Sequence, residues 1–304
     1  MFKQSSNVVL MVRPHSFSTN TASLIDNFFQ SHRHIEKSAL AKLAYQQTTQ
    51  AIERLRSLGL IVHVFEDETE RTPDSVFPNN WFSTHPDGTL VTYPMFVENR
   101  RLERREDILT FLKEHYHVTR SHDFASREIV GEFVEGTGSM VIDYSNKRVY
   151  AALSNRTTQT LLNEIAKTLG LSVTAFIAND PKGNPIYHSN VMMSVGTKLA
   201  LVALNSIEKD QQRKDLIQQL SADGKTIVDL AHKQMNQFCG NALEVEANGK
   251  HFLVCSKTAY DAFTETQKST IEQYCEIVPI DVSAIESAGG SIRCMMAAIH
   301  LPKR

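Results

Sequence analysis

Three residues in this chain are of types that together could carry out nucleophilic chemistry. They are Cys294 in GGSIRCMMAAIHLPKR (289–304), His188 in IYHSN and Glu135 in EFVEGTGS. A free thiol has a pKa of about 8.5 and is only a few per cent thiolate at neutral pH, so a cysteine nucleophile needs activation. Histidine can give or take a proton near pH 7, and a carboxylate can orient the imidazole and stabilise its charged form. Taken singly, each has a plainer reading. A cysteine in an apolar strand is more often a small core residue, and Cys255 in HFLVCS and Cys275 in QYCEIV are assigned to that class. His188 could brace a turn, and Glu135, between Val134 and Gly136, would need a partner if buried.

What brings the three together is a repeat. Apolar residues Leu40, Leu43, Ala44, Ala51, Ile52 and Leu55 share one face of a predicted helix over 37–58, ended by Gly59 and followed by the strand-like IVHVF at 61–65. Segments opening at Gly138, Asn190 and Asn241 each read as strand, turn, strand, helix, strand. An earlier copy opens at Asn80, with a helix predicted over 101–115 behind it. A fifth opens at Ser291, where the chain runs out, and VVLMVRP, the 37–58 helix and IVHVF supply what it lacks. The starts 80, 138, 190, 241 and 291 lie 58, 52, 51 and 50 residues apart, a period that marks a radial or solenoid array. Completion of the last unit from the N-terminal segment predicts an α/β propeller, a five-fold ring of ββαβ units forming one domain over 1–304.

In such a ring, equivalent positions converge on the axis. Asn80, Glu135, His188, Asn241 and Cys294 each lie within three residues of a repeat start, predicted at the head of each first strand. Glycines at 136, 138, 289 and 290 would allow close backbone approach to a ligand.

Composition narrows the classes. The chain has 304 residues, 41% hydrophobic and 22% charged, with a formal net charge of −2. That balance argues against a nucleic-acid partner, and no apolar run approaches a membrane span. The four cysteines, Cys239 completing the set, show no C-x-x-C spacing, so neither a zinc site nor a redox pair is indicated. His32 and His34 in SHRHIEK have no acidic or cysteine partner nearby and read as the approach to a helix. A cytoplasmic location with reduced thiols is expected, as is the absence of any metal or organic cofactor. A homodimer is left open.

The motifs PDSVFPNNWFSTH, EGTGSMV, SNRT, IYHSNVMMSVG and GGSIRCMMAAIH together resemble those of the guanidino-group-modifying, or pentein, superfamily. That group includes arginine deiminases, amidinotransferases and dimethylarginine dimethylaminohydrolases, and within it the motifs most resemble the bacterial citrulline-utilisation hydrolases. The resemblance covers nearly the whole chain. It implies Cys294 as nucleophile on a guanidinium or ureido carbon, His188 as acid and then base, and Glu135 as its partner. It also implies Arg156 as the grip on a substrate α-carboxylate, a contact a guanidinium can make bidentate.

Departures from the pattern bear on substrate. Arginine deiminases carry an H-x-D motif and an aspartate in the segment matching FPNNWF, where this chain has Asn190 and Asn80. An amide both donates and accepts and carries no charge, so these positions suit a neutral ureido group such as that of citrulline. Asp74 keeps a guanidino substrate open. Asn80, Asn190 and Asn241 are candidate oxyanion donors. The expected reaction takes citrulline to ornithine, ammonia and carbon dioxide through a thiol adduct. An arginine deiminase or amidinotransferase on the same triad, and a non-catalytic small-ligand binder, are the alternatives.

Overall fold

The computed structural model describes residues 2–30 and 36–304; His32 and His34 lie outside them. Fifteen strands are described. In chain order they begin with β1 (Val8–Pro14), β2 (Ile61–Asp67), β3 (Phe82–Thr84), β4 (Thr89–Thr92) and β5 (Arg120–Asp123). Next come β6 (Val141–Asp143), β7 (Arg148–Ala152), β8 (Ser172–Phe176), β9 (Met193–Val195), β10 (Leu199–Val202) and β11 (Thr226–Asp229). The last are β12 (Leu243–Ala247), β13 (Lys250–Ser256), β14 (Glu276–Ile280) and β15 (Ala297–Ala298).

They form five three-stranded sheets of one topology. In β3–β4–β5, β6–β7–β8, β9–β10–β11 and β12–β13–β14 the first pair is antiparallel and the second parallel. The fifth sheet joins the two ends of the chain: β15 runs antiparallel to β1 (Val9 opposite Ala298), and β1 runs parallel to β2 (Val8 opposite Ile61). A short turn suffices for each antiparallel pair, whereas each parallel pair needs a crossover, which a helix provides. The β12–β13 turn is Asn248-Gly249, with φ of 52° and 74°, the combination a two-residue hairpin twisted like its strands requires.

The crossover helices show why these residues form them. Lys37–Ser57 buries Leu40, Ala44, Gln47, Thr48, Ala51, Ile52 and Leu55, one stripe at helical spacing. Gln159–Leu169 buries Leu161, Leu162, Ile165 and Ala166 against β7 residues Val149 and Ala151, and stops at Gly170 in the left-handed conformation. The fourth crossover is two helices, Lys257–Ala262 and Glu265–Glu272. Thr264 ends the first run and caps the second, its hydroxyl accepting from Gln267 N–H while Gln267 returns the bond. Among the described residues no helix is long and apolar enough to cross a membrane.

Two expectations are corrected. The helix predicted over 101–115 is a 3-10 segment, Glu98–Glu103, then an α-helix that starts only at Glu106. Arg104 and Arg105 between them are extended, and Glu106 and Asp107 open the helix where negative charge is favoured. The residues in repeat phase are also not on strands. They sit on short helical turns just ahead of them: Pro78–Asn80, Gly136–Ser139 after Glu135, Ser189–Met192 after His188, and the hydrogen-bonded turn Ser291–Cys294. A turn lets one backbone segment aim a side chain inward and then feed a strand. It also packs turn against turn: a Cβ on Gly136 (φ 48°) would lie 2.4 Å from Asn79 O, and one on Gly138 2.3 Å from Asn80 Nδ2.

Candidate active site

The turns bring Cys294, His188, Glu135, Asn80, Asn190 and Asn241 into one buried cluster. Asn241 lies between Gly240 and β12, and its Nδ2 donates both to Asn190 O (3.0 Å) and to Cys294 Sγ (3.2 Å). Asn190 Nδ2 donates to the same sulfur at 3.3 Å. Asn241 Oδ1 in turn accepts from Arg293 N–H at 3.1 Å, which locks its orientation. Two amide donors converging on one sulfur suit a thiolate, the nucleophilic form. Cys239, Cys255 and Cys275 have no such surroundings: burial pushes Cys239 and Cys275 up to about 12, and Cys255 higher still. They are the core cysteines the sequence suggests for two of them.

His188 Nε2 lies 2.7 Å from Glu135 Oε2. Burial alone would raise the Glu135 carboxyl, but the Arg156 guanidinium, the His188 hydrogen bond and Arg100 outweigh it and hold it well below the usual carboxylate range. An ionised Glu135 fixes the tautomer: Nε2 carries the proton and donates, leaving the lone pair on Nδ1. Burial, only partly offset by Glu135, lowers the His188 pKa, so the resting imidazole is neutral and able to accept a proton. Glu135 Oε1 accepts from Phe96 N–H at 2.8 Å, so both of its oxygens are engaged.

Arg156, the expected grip on a substrate carboxylate, is engaged within the fold itself. It is 1% exposed. Its Nε donates to Asp26 Oδ2 at 2.8 Å, Nη2 to Asp26 Oδ1, and Nη1 to Glu135 Oε2 at 3.4 Å. Tyr187 lies beneath it, 4.9 Å from the guanidinium carbon to the ring centre. The reason is electrostatic: a buried cation costs several kcal/mol unless carboxylates answer it, and here two do.

Arg100 escaped sequence reasoning. It is 3% exposed and ties three groups together. Nε and Nη2 pair with the Glu103 carboxylate at 2.9 Å each, Nη2 also donates to Asn80 Oδ1 at 3.1 Å, and Nη1 lies 3.7 Å from Glu135. Because a guanidinium only donates, Asn80 must present Oδ1 to it, which turns Nδ2 away. That Nδ2 is buried with no partner among the described residues. Asp74 has the complementary state: Oδ2 accepts from Asn20 Nδ2 (2.8 Å) and lies 3.6 Å from Arg100, while Oδ1 is buried and unpartnered. Asp74, Asn80, Arg100, Arg156, His188 and Cys294 all line one cavity of about 10 Å³, with Asn27 and Tyr187 among its other walls. Asn27 bonds to Ala288 O at 3.0 Å, so the 20–30 segment lies over the site.

A family model described as N,N dimethylarginine dimethylhydrolase, eukaryotic, matches residues 13–301. No curated protein is significantly similar in sequence. Among solved structures, the N-terminal domain of ArgZ, an arginine dihydrolase from the ornithine-ammonia cycle in cyanobacteria, is similar in a substrate-bound form. Its TM-score is 0.75 at 17% identity, over 97% of this chain and 98% of that one. Against the chain of the apo ArgZ structure, this chain spans only 41% of the longer one. A dimethylarginine dimethylaminohydrolase carrying an adduct with S-methyl-L-thiocitrulline matches over 100% of both chains at 14% identity and a TM-score of 0.65. These structural likenesses, at such low identity, concern the fold.

Proposed function

Because the chain belongs to the N,N dimethylarginine dimethylhydrolase family, hydrolases of amidine-type C–N bonds within the pentein superfamily, we propose that it hydrolyses a ureido amino acid of the citrulline type through a Cys294 thiol adduct. In this reading the five sheets are the blades of one closed ring and residues 1–304 one catalytic domain. The pairing of β15 with β1 and the packing of β6 on β9, β9 on β12 and β15 on β3 support it.

The observation that carries the substrate class is the pair of unpartnered atoms, Asn80 Nδ2 and Asp74 Oδ1. One is a donor and the other an acceptor. A ureido group offers a C=O to the first and N–H to the second, and satisfies both. A guanidinium offers donors only, so Asn80 Nδ2 would stay unpaired at a cost of about 1–3 kcal/mol.

The geometry supports the following chemistry. The Cys294 sulfur, held by Asn190 and Asn241, adds to the ureido carbon, and Asn80 Nδ2 meets the oxygen on which charge develops. The proton taken from the thiol passes through His188 Nδ1 to the departing nitrogen, and Glu135 stabilises the imidazolium between the two transfers. The C–N bond to the side-chain nitrogen breaks, the amine leaves as ornithine, and a carbamoyl group stays on sulfur. Water, deprotonated by His188, cleaves the C–S bond and restores the thiol, and the released carbamic acid falls to ammonia and carbon dioxide.

A 10 Å³ cavity holds about one water, so an amino acid enters only if the 20–30 segment gives way. Asp26 presents a carboxylate to Arg156. A substrate α-carboxylate is its chemical equivalent, and exchanging one for the other leaves the Arg156–Glu135 tie in place.

Incubation with citrulline and with arginine, following ornithine, citrulline and ammonia, tests the reading. Ornithine and ammonia from citrulline are expected. Arginine consumed while citrulline accumulates would overturn the substrate assignment and favour the guanidino reading that the Asp74 carboxylate supports. No turnover of either, with Cys294 unreactive to alkylation, would favour a binder.

A further inference from the structure

Asn190 also lines a second cavity, of about 50 Å³. Ser83, Tyr144, Asn190, Ser194, Arg293 and His300 supply polar walls. Among the described residues that line it, Arg293 is the only one that carries a charge at neutral pH. His300 lines the space with its pKa driven down to about 3 by burial, and His85 behind it to about 4 by the same cause, so neither imidazole is cationic. The Arg293 guanidinium makes one hydrogen bond among the described residues, Nη1 to Met296 O at 3.0 Å. No carboxylate stands within ion-pair distance of it there, and burial lowers its pKa, with only Cys294 and Tyr144 opposing. This contrasts with Arg100 and Arg156, each answered by carboxylates. Ser194, 8% exposed, lines the same space, and its Oγ is buried with no partner among the described residues.

A partly buried cation with no carboxylate in ion-pair reach and an unspent hydroxyl donor are a pair of anion-seeking groups. We propose that this cavity binds a monovalent anion of halide size, held by the Arg293 guanidinium and the Ser194 hydroxyl. Size sets the class: at roughly 10–15 Å³ per water the space takes about four waters, enough for a halide with a water beside it and too little for an amino acid or a sugar acid. Charge sets the valence, since one guanidinium is to be neutralised. Asn190 Oδ1, also unpartnered, is an acceptor for the accompanying water or for a remaining guanidinium N–H. Tyr144 OH is spent, lying 3.3 Å from Thr84 O and 3.5 Å from His85 Nδ1.

Thermal melting of the full chain at constant ionic strength in sodium chloride, sodium bromide and sodium gluconate tests the site, since gluconate exceeds the cavity. Binding to the folded state alone predicts a saturable rise in Tm of about 2–4 °C in either halide over gluconate, absent in Arg293→Met. Crystals grown in bromide should show an anomalous peak within hydrogen-bond reach of Arg293 and Ser194. If Arg293→Met fails to fold, Ser194→Ala should shift the halide midpoint to higher concentration. A bromide-grown crystal with water only in the cavity, an equal halide rise in Arg293→Met, or an unmoved midpoint in Ser194→Ala would each overturn the assignment.

Discussion

The two sides of the Asn190 turn are built on opposite electrostatic plans. On the Cys294 side every buried cation is matched: Arg156 by Asp26 and Glu135, Arg100 by Glu103 with Asp74 and Glu135 nearby. Arg100, Arg156 and Glu135 stay charged and fixed there, while burial lifts Glu103 to about 7 against the pull of Arg100, raises Tyr187 and keeps His188 neutral. On the far side His85, Tyr93 and Tyr144 are buried and His300 half-buried around the Arg293 guanidinium, none of the four in an ion pair among the described residues, and burial drives each toward its neutral form. The difference teaches where chemistry can be done. A buried carboxylate–guanidinium lattice fixes the charges a reacting group needs, at the cost of desolvation. A neutral polar cluster satisfies hydrogen bonds and supports packing, but supplies no base at neutral pH.

The sharpest way to break the contrast is Cys294→Ser. Turnover should fall by at least about 10³-fold, while the melting temperature stays nearly unchanged because the hydroxyl can accept the Asn190 and Asn241 bonds. A severe loss of stability with residual activity would instead make Cys294 a core residue. Next in size is Arg156→Met. It leaves Asp26 and Glu135 buried without their cation, so the cost should be about 3–5 kcal/mol in unfolding free energy, with kcat reduced as well because Glu135 would cease to be reliably ionised. Equal stability in denaturant titrations would show that the lattice is not what holds these charges.

The meeting of Cys294, His188 and Glu135 in one cluster was legible because the three share a repeat phase, and phase survives when pairwise distance in sequence does not: Glu135 and His188 are 53 residues apart yet bonded. The order of strand, strand, helix, strand was legible from periodicity. What hid was the lattice. Arg100 sits in ENRRLERRE among Arg101, Arg104 and Arg105, and only it is buried in that stretch of arginines. Its fate is decided by Glu135 and Asn80, contacts no local pattern encodes. Glu103, three residues on and paired with it, is indistinguishable by spacing from a solvated helix pair. Asp26 lies in a segment outside the repeat, so no phase argument could reach it. The late helix start at Glu106 did leave a signal, the acidic Glu106-Asp107 pair that favours a helix N-terminus.

Acid exposes the neutral side first. His85 in the unfolded chain takes a proton near its ordinary 6.5, whereas in the fold it resists until about 4. Its folded pKa is depressed, so the stability it confers is complete above about 6.5 and lost as pH falls toward 4, by about 3 kcal/mol. His300, depressed to about 3, and His188, lowered by its burial, act with the same sign. Melting temperature measured from pH 7.5 to 4 should fall steeply below 6.5, and His85→Asn should flatten part of that slope. A flat profile would mean that these imidazoles are not buried neutral.

The smallest change tests the site at the level of one atom. Asn80→Asp keeps the side-chain shape and the bond to Arg100 but replaces the unpartnered Nδ2 donor with an acceptor. A ureido oxygen would then face a carboxylate oxygen, while a guanidinium would gain a charge-assisted bond of about 1.5–3 kcal/mol. The ratio of kcat/KM for arginine to that for citrulline should therefore rise at least about tenfold. The Arg100 guanidinium, already bonded to Asn80 Oδ1, answers the added charge, so the fold should hold. A KM effect shared equally by both substrates would show that Asn80 positions Arg100 and does not read the substrate. An effect on the ratio would locate the choice between ureido and guanidino groups in a single amide, oriented by a guanidinium that can only donate.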